Sequence, residues 1–176
     1  MDEQRLVRRE YYPSGAVRTE LSYCRSGRLN GPTKTFFESG TPASEVTYKD
    51  NILEGPARAY HEDGSLRVKF SYQANRRHGP YRSYYENGAL ELEATFEGGA
   101  VTGAYRAYYD SGQLKEDAQF VNSKREGTVR TYHQNGQLES ESVFEDGAMT
   151  ECREFDENGR EVKPKASQAE FIRIKK

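Results

Sequence analysis

Three histidines, two cysteines and 28 carboxylates are the residues of this 176-residue chain whose chemistry could go beyond packing. Carboxylates paired at the right separation hydrolyse glycosides, His/Cys/carboxylate sets hold metals, and a thiol beside a histidine makes a nucleophile. Each of these needs groups that converge on one point. His61 and His133 instead stand 72 positions apart, and His78 falls between them. Cys24 and Cys152 lie near opposite ends and form no CxxC spacing. The glycines of GGAVTG (98–103) lack the following helix that a phosphate loop requires, and read as a turn. No Walker A loop, nucleophile elbow or HExxH motif occurs. The expectation is a chain with no catalytic residues, no metal and no cofactor.

What the elements must position is set by a repeat. Gly15, Gly40, Gly64, Gly88, Gly112, Gly136 and Gly159 follow one another at 25, 24, 24, 24, 24 and 23 residues. Each is preceded by Ser, Asp or Asn. Four residues before each stands an aromatic: Tyr11, Phe36, Tyr60, Tyr84, Tyr108, Tyr132 and Phe155. Eight residues after the first six comes another, from Tyr23 through Phe144. Gly31, Gly55, Gly79, Gly103 and Gly127 mark a second column, where the last full repeat has Glu151. Between the columns the sequence alternates: Leu90, Leu92, Ala94 and Phe96 against Glu91, Glu93 and Thr95. No segment before residue 163 sustains a helical period.

Each unit therefore reads as strand, tight turn, strand, with residues 1–162 as one array and 163–176 as a basic tail. The fold class is all-β: an elongated, twisted antiparallel sheet of tandem hairpins, mostly one layer thick, because large aliphatics are scarce. Asn-Gly and Asp-Gly favour a two-residue type I′ turn, since both central residues of that turn have φ > 0. Counting outward from such a turn pairs Arg9 with Glu20, Lys34 with Glu45, Arg82 with Glu93, Arg106 with Asp117 and Arg130 with Glu141; Arg58 meets Lys69 and breaks the pattern. A three-residue loop with a G1 bulge is the rival, and would exchange the faces of the first strand. Gly-Pro pairs at 31–32, 55–56 and 79–80 mark bulges or strand starts, and His78 falls in a turn between repeats. With strands ~4.8 Å apart, a repeat advances ~10 Å. On that spacing His61 and His133 lie about 30 Å apart, and the cysteines lie far beyond disulfide reach.

The phrases GPYRSYYENGALELEATF and GAYRAYYDSGQLKEDAQF carry a resemblance to the MORN-variant repeat (membrane occupation and recognition nexus), as in YwqK-like antitoxin proteins. It covers roughly residues 9–162. The resemblance implies a single-layer hairpin sheet, and an antitoxin or immunity protein that neutralises a cognate toxin by direct binding. The chain departs from the family pattern in having no Trp. Its last unit also decays at Glu151, Asp156 and Glu161, which reads as a terminal cap.

A net charge of −2 offers no global field for nucleic acid. Residues 163–176 carry five Lys/Arg and one Glu, or +4, which leaves −6 on residues 1–162. That tail makes a lipid-surface scaffold the alternative function, although membrane contact through so few charges is weak. No apolar run is long enough to span a bilayer, no apolar leader opens the chain, and the cysteines suit a reducing compartment, so the expected location is cytoplasmic. Arg58, Tyr60, Arg82, Tyr84, Arg106, Tyr108, Arg130 and Tyr132 fall on one sheet face. Tyr and Arg are the residues that dominate binding hot spots, so this stripe is the expected protein-binding surface.

Overall fold

The computed structural model describes residues 5–162. Every regular element among them is a β-strand. The chain divides into two compact units, Met1–Gly88 and Ala89–Lys176. The first holds β1 (Leu6–Tyr11), β2 (Val17–Tyr23), β3 (Gly31–Phe36), β4 (Pro42–Lys49), β5 (Ile52–Leu53), β6 (Gly55–Tyr60), β7 (Leu66–Gln73) and β8 (Arg76–Tyr84). The second holds β9 (Leu90–Glu97), β10 (Ala100–Tyr108), β11 (Leu114–Val121), β12 (Lys124–Tyr132), β13 (Leu138–Glu145), β14 (Ala148–Phe155) and β15 (Glu161–Val162). Within each unit sequence neighbours pair antiparallel, the short β5 extending the pairing of β4. The basic tail, and the reading attached to it, lie outside the described residues.

The two kinds of turn are distributed differently from the sequence expectation. At the Ser/Asp/Asn-Gly positions only the glycine has positive φ. At Gly112 the amide donates to Tyr109 O (2.8 Å), while the Tyr109 amide donates to Gln113 O (2.8 Å). This is a three-residue loop, a type I turn closed by glycine in the left-handed region, as in a G1 bulge. The residue before glycine is an acceptor: Asp63 Oδ1 takes the Ser65 amide (2.8 Å) and Asn135 Oδ1 the Gln137 amide (2.9 Å). The two-residue turns with both φ positive lie between repeats, at Asp50-Asn51, Ala74-Asn75, Gly98-Gly99, Asn122-Ser123 and Asp146-Gly147. The first repeat is one residue longer because its inter-repeat loop is of the three-residue type, Arg25-Ser26-Gly27, closed from Cys24 to Arg28.

The ladder register is nevertheless the one that two-residue counting yields. Tyr108 pairs with Leu114 and Ala107 with Glu116, leaving Lys115 as an extra residue. That second bulge cancels the offset of the loop, so Arg106 faces Asp117; Arg9–Glu20, Lys34–Glu45 and Arg130–Glu141 pair likewise. The second glycine column makes a larger irregularity. Thr102 pairs with Thr95 and Arg106 with Glu93, so Gly103, Ala104 and Tyr105 together oppose Ala94. Gly127, Thr128 and Val129 oppose Ala118 in the same way. Where Glu151 replaces glycine, Val143 pairs with Glu151 and Phe144 with Met149, and only Thr150 is extra. One fewer bulged residue accounts for the 23-residue final spacing. His78 lies in β8 opposite Ser71, not in a turn, because the two-residue loop Ala74-Asn75 ends earlier.

The core consists of small side chains gathered at these bulges: Ala57, Ala94, Ala118 and Val129, with Cys24, Ser22, Thr33, Ser83 and Ser142. Among the described residues no large side chain is fully buried. Aromatic rings such as Phe70, Phe96 and Phe120 are half-covered, each contributing about 1 kcal/mol by area. A chain with water on both faces gains little more from burial.

Gly127 has φ +73°, and a Cβ there would meet nothing within 4 Å. Gly127→Ala therefore isolates backbone strain, and should lower the unfolding free energy by about 1–2 kcal/mol in urea titration. An unchanged midpoint would mean that the bulge relaxes to the smaller form seen at Thr150.

Candidate interaction surface

Tyr12, His61, Tyr109 and His133, each at the start of a three-residue loop, reach across to the following repeat. Tyr12 Oη donates to Phe36 O (2.7 Å) and Tyr109 Oη to Tyr132 O (2.7 Å). His61 Nε2 and His133 Nε2 stand in the same column, 3.0 Å from Tyr84 O and 2.9 Å from Phe155 O. These histidines replace a tyrosine hydroxyl with a ring N–H. Asp156 ends the column: its carboxylate accepts the amides of Asn158 and Arg160 (2.9 Å each), on its own loop. Those two bonds hold its pKa below the usual aspartate range.

The opposite turn edge is stitched backwards. Asn51 donates its amide to Leu29 O (2.9 Å) and accepts the Leu29 amide on Oδ1 (2.7 Å). Asn75 does the same with Leu53, and Ser123 with Val101 through its hydroxyl. Both turn edges are thus pinned repeat to repeat, one by Tyr and His side chains and the other by Asn and Ser.

One face carries the Tyr/Arg stripe. In the first unit Arg58 and Arg82 are exposed, and Tyr60 and Tyr84 are half-buried. The Lys69 ammonium sits 5.6 Å above the Tyr84 ring. In the second unit Arg106 and Arg130 flank Asp117 in the strand register, beside Tyr108 and Tyr132. Arg106 lies 3.3 Å from Asp117 and 3.7 Å from Glu93. The Tyr108 hydroxyl donates to Glu93 (3.0 Å); partial burial and that carboxylate both raise its pKa. Arg130 Nε donates to Glu141 (2.9 Å), and Arg153 grips the other oxygen of the same carboxylate. These two guanidinium contacts hold the Glu141 pKa below the usual range.

The other face is less apolar than its alternating pattern implies. Arg125 pairs with Glu116, and its guanidinium lies 5.9 Å from the Phe120 ring and 5.6 Å from Phe144. Arg77 covers Phe70 (5.1 Å) and Tyr81 (5.7 Å) in the same manner. The signal was available: Leu29, Leu53, Arg77, Val101, Arg125 and Met149 form one column at 24-residue spacing, and a guanidinium can cover aromatic rings there. The hollows along the array are shallow and polar. One of about 500 Å³ lies among Cys24, Arg25, Arg28, Lys49 and Asp50. Cys24 and Cys152 are free thiols. Among the described residues no group of three His, Cys, Asp or Glu is placed to hold a metal, and no helix is long and apolar enough to cross a membrane.

Hairpins of one period, laid strand beside strand and joined through their turns, define a tandem β-hairpin repeat protein. The chain belongs to the MORN repeat variant family, which it matches in five segments, 29–50, 53–74, 77–97, 101–122 and 125–146, more than half its length. No curated protein sequence matches it. Among solved structures, the crystal structure of a protein with unknown function from Bacteroides fragilis aligns over 93% of this chain and 91% of its own, at 11% identity and a TM-score of 0.19, a likeness too slight to bear on fold or function.

Two expectations follow from the contacts. Tyr109→Phe should cost about 1 kcal/mol of unfolding free energy, whereas His133→Tyr should leave stability unchanged or raise it, as the column accepts either residue. Loss of folding in His133→Tyr would mean the histidine is held for something other than this bond. For Glu141, a carboxylate whose folded pKa is depressed contributes stability above its unfolded pKa of roughly 4.3, and that stability disappears as pH falls through the folded value. The melting difference between wild type and Glu141→Gln should therefore be present at neutral pH and vanish in acid.

Proposed function

We propose that the chain is a non-catalytic, protein-binding repeat scaffold, and more narrowly an antitoxin or immunity protein that neutralises a cognate toxin by direct contact. The observation that carries this reading is the stripe of Arg58, Tyr60, Arg82, Tyr84, Arg106, Tyr108, Arg130 and Tyr132. It is half-exposed, repeats at the period of the array, and is built from the two residue types that most often anchor interfaces. A hairpin array places equivalent side chains at regular steps, which suits an extended partner surface better than the convergence catalysis needs. The resemblance to YwqK-like antitoxins, carried by the GPYRSYYENGALELEATF phrase, supplies the narrower assignment.

The test uses proteins encoded immediately beside this gene. Co-expression should relieve growth inhibition by one of them, and titration calorimetry should give a direct complex. Arg82→Glu and Tyr84→Ala should each weaken that complex about tenfold or more while circular dichroism stays unchanged. Normal affinity in both variants would make the stripe structural and remove the proposed site. The lipid-surface alternative rests on residues 163–176; deleting them would abolish sedimentation with phosphatidylserine vesicles if that reading were right.

A further inference from the structure

One line of facing residues crosses each unit on the stripe face. In the first unit the strand register sets Arg9 against Glu20, Glu20 against Lys34, Lys34 against Glu45 and Glu45 against Arg58. In the second it sets Glu93 against Arg106, Arg106 against Asp117, Asp117 against Arg130, Arg130 against Glu141 and Glu141 against Arg153. The signs alternate at every step in both series. They fail to alternate at one place, where Arg58 faces Lys69 and Lys69 faces Arg82.

Three cations on adjacent strands, ~4.8 Å apart, repel one another, and like charges directly opposite across a strand pair are destabilising. Glu45, the carboxylate facing Arg58, is 3.5 Å from Lys34 Nζ. Among the described residues neither Arg58 nor Lys69 has a carboxylate within ion-pair distance; the Lys69 ammonium rests over the Tyr84 ring instead. Both side chains are exposed, and Tyr60 and Tyr84 flank them. A local rule kept everywhere else and broken at one solvent-facing position is the signature of a site shaped for something other than stability.

We propose that Arg58 and Lys69, with Arg82 beside them and Tyr60 and Tyr84 as walls, seat a carboxylate from an acidic segment of a protein partner. The structure supplies the template for this chemistry, since Glu141 is held between Arg130 and Arg153 in the equivalent line. An incoming Asp or Glu side chain would restore alternation from outside. The inference deepens the scaffold reading above and rests on it; it gives the partner a chemistry and locates the contact within Met1–Gly88.

The experiment uses the full chain and a fluorescein-labelled synthetic peptide of alternating glutamate and serine, read by anisotropy at low ionic strength, where exposed charge contacts are least screened. Arg58→Glu, Lys69→Ala and Lys69→Glu should each weaken peptide binding by about fivefold or more. Lys124→Glu, a charge-matched change on β12, should alter it less than about twofold. In parallel Lys69→Glu should raise the melting midpoint by about 2 °C or more, because it restores alternation to the line. Equal losses in Lys124→Glu and Lys69→Glu, or no rise in the midpoint, overturn the seat. So does binding of phosphatidylserine vesicles in place of the peptide with the same dependence on Arg58 and Lys69. A toxin partner whose affinity ignores Lys69→Glu removes the seat and leaves the scaffold reading standing. Peptide binding that depends on Arg58 and Lys69, with no partner encoded nearby, keeps the seat and removes the antitoxin assignment.

Discussion

A sheet one layer thick has solvent on both faces, so it cannot gather a hydrophobic interior, and every other feature of this protein answers that constraint. Among the described residues the buried set is three alanines, three serines, a valine, a threonine and a cysteine. Cohesion must come from contacts between one repeat and the next. Strand pairing supplies most of it. The rest comes from hydrogen bonds at the turns: forward from Tyr12, His61, Tyr109 and His133, and backward from Asn51, Asn75 and Ser123. A hydrogen bond of this kind contributes about 1 kcal/mol net. A column of them therefore matters where, among the described residues, no ring is fully buried.

The same constraint explains the bulges. A flat antiparallel ladder would leave wide gaps between aromatic side chains on an uncovered face. The bulge sets Gly103, Ala104 and Tyr105 opposite Ala94 on one side of the strand, while on the other Tyr105 stands diagonal to Phe120, ring centroids 5.2 Å apart. Glycine is required there because its φ of +69° is open to few other residues. Ions serve a related purpose. Surface pairs contribute little singly, but in a line of alternating charges one carboxylate can meet two cations, as Glu141 meets Arg130 and Arg153.

How much of this could be read from residues alone differs by feature. The period, the all-β class and the facing charges were legible because glycine and aromatic columns recur with fixed spacing, and because a register error would have exchanged the faces. The choice between the two-residue turn and its three-residue rival was not legible in Asn-Gly and Asp-Gly, which dominate both type I′ hairpins and loops that need only one residue with positive φ. Ser14, Ser39 and Ser111 argued for the second kind, as serine has little preference for φ > 0. The compensating bulge at Lys115 was invisible, because it cancels in the count that ion pairing checks. Arg77 and Arg125 were hidden by an alternation argument that treats a charged residue as outward-facing. The carbonyl partners of His61 and His133 lie more than twenty residues away in the chain, beyond the reach of any local pattern.

Those observations bear on how an array of near-identical units acquires a specific site. Repetition by itself makes a surface without a preferred position, because each step presents the same Tyr, Arg and carboxylate. Specificity must enter where the repetition fails. Two kinds of failure occur here, and they differ physically. At Glu151 and Asp156 the substituted residue satisfies itself locally, by shrinking a bulge or by closing its own loop. Such a change lowers the need for a further repeat, as a cap does. At Lys69 the strand register sets a cation against Arg58 and against Arg82, and its ammonium rests over the Tyr84 ring. Like charges facing one another across strand pairs oppose the stability of a sheet that has little burial to offset them. It also gives one position in the first unit a sign out of step with the line, and a partner bound as proposed above would find its register there.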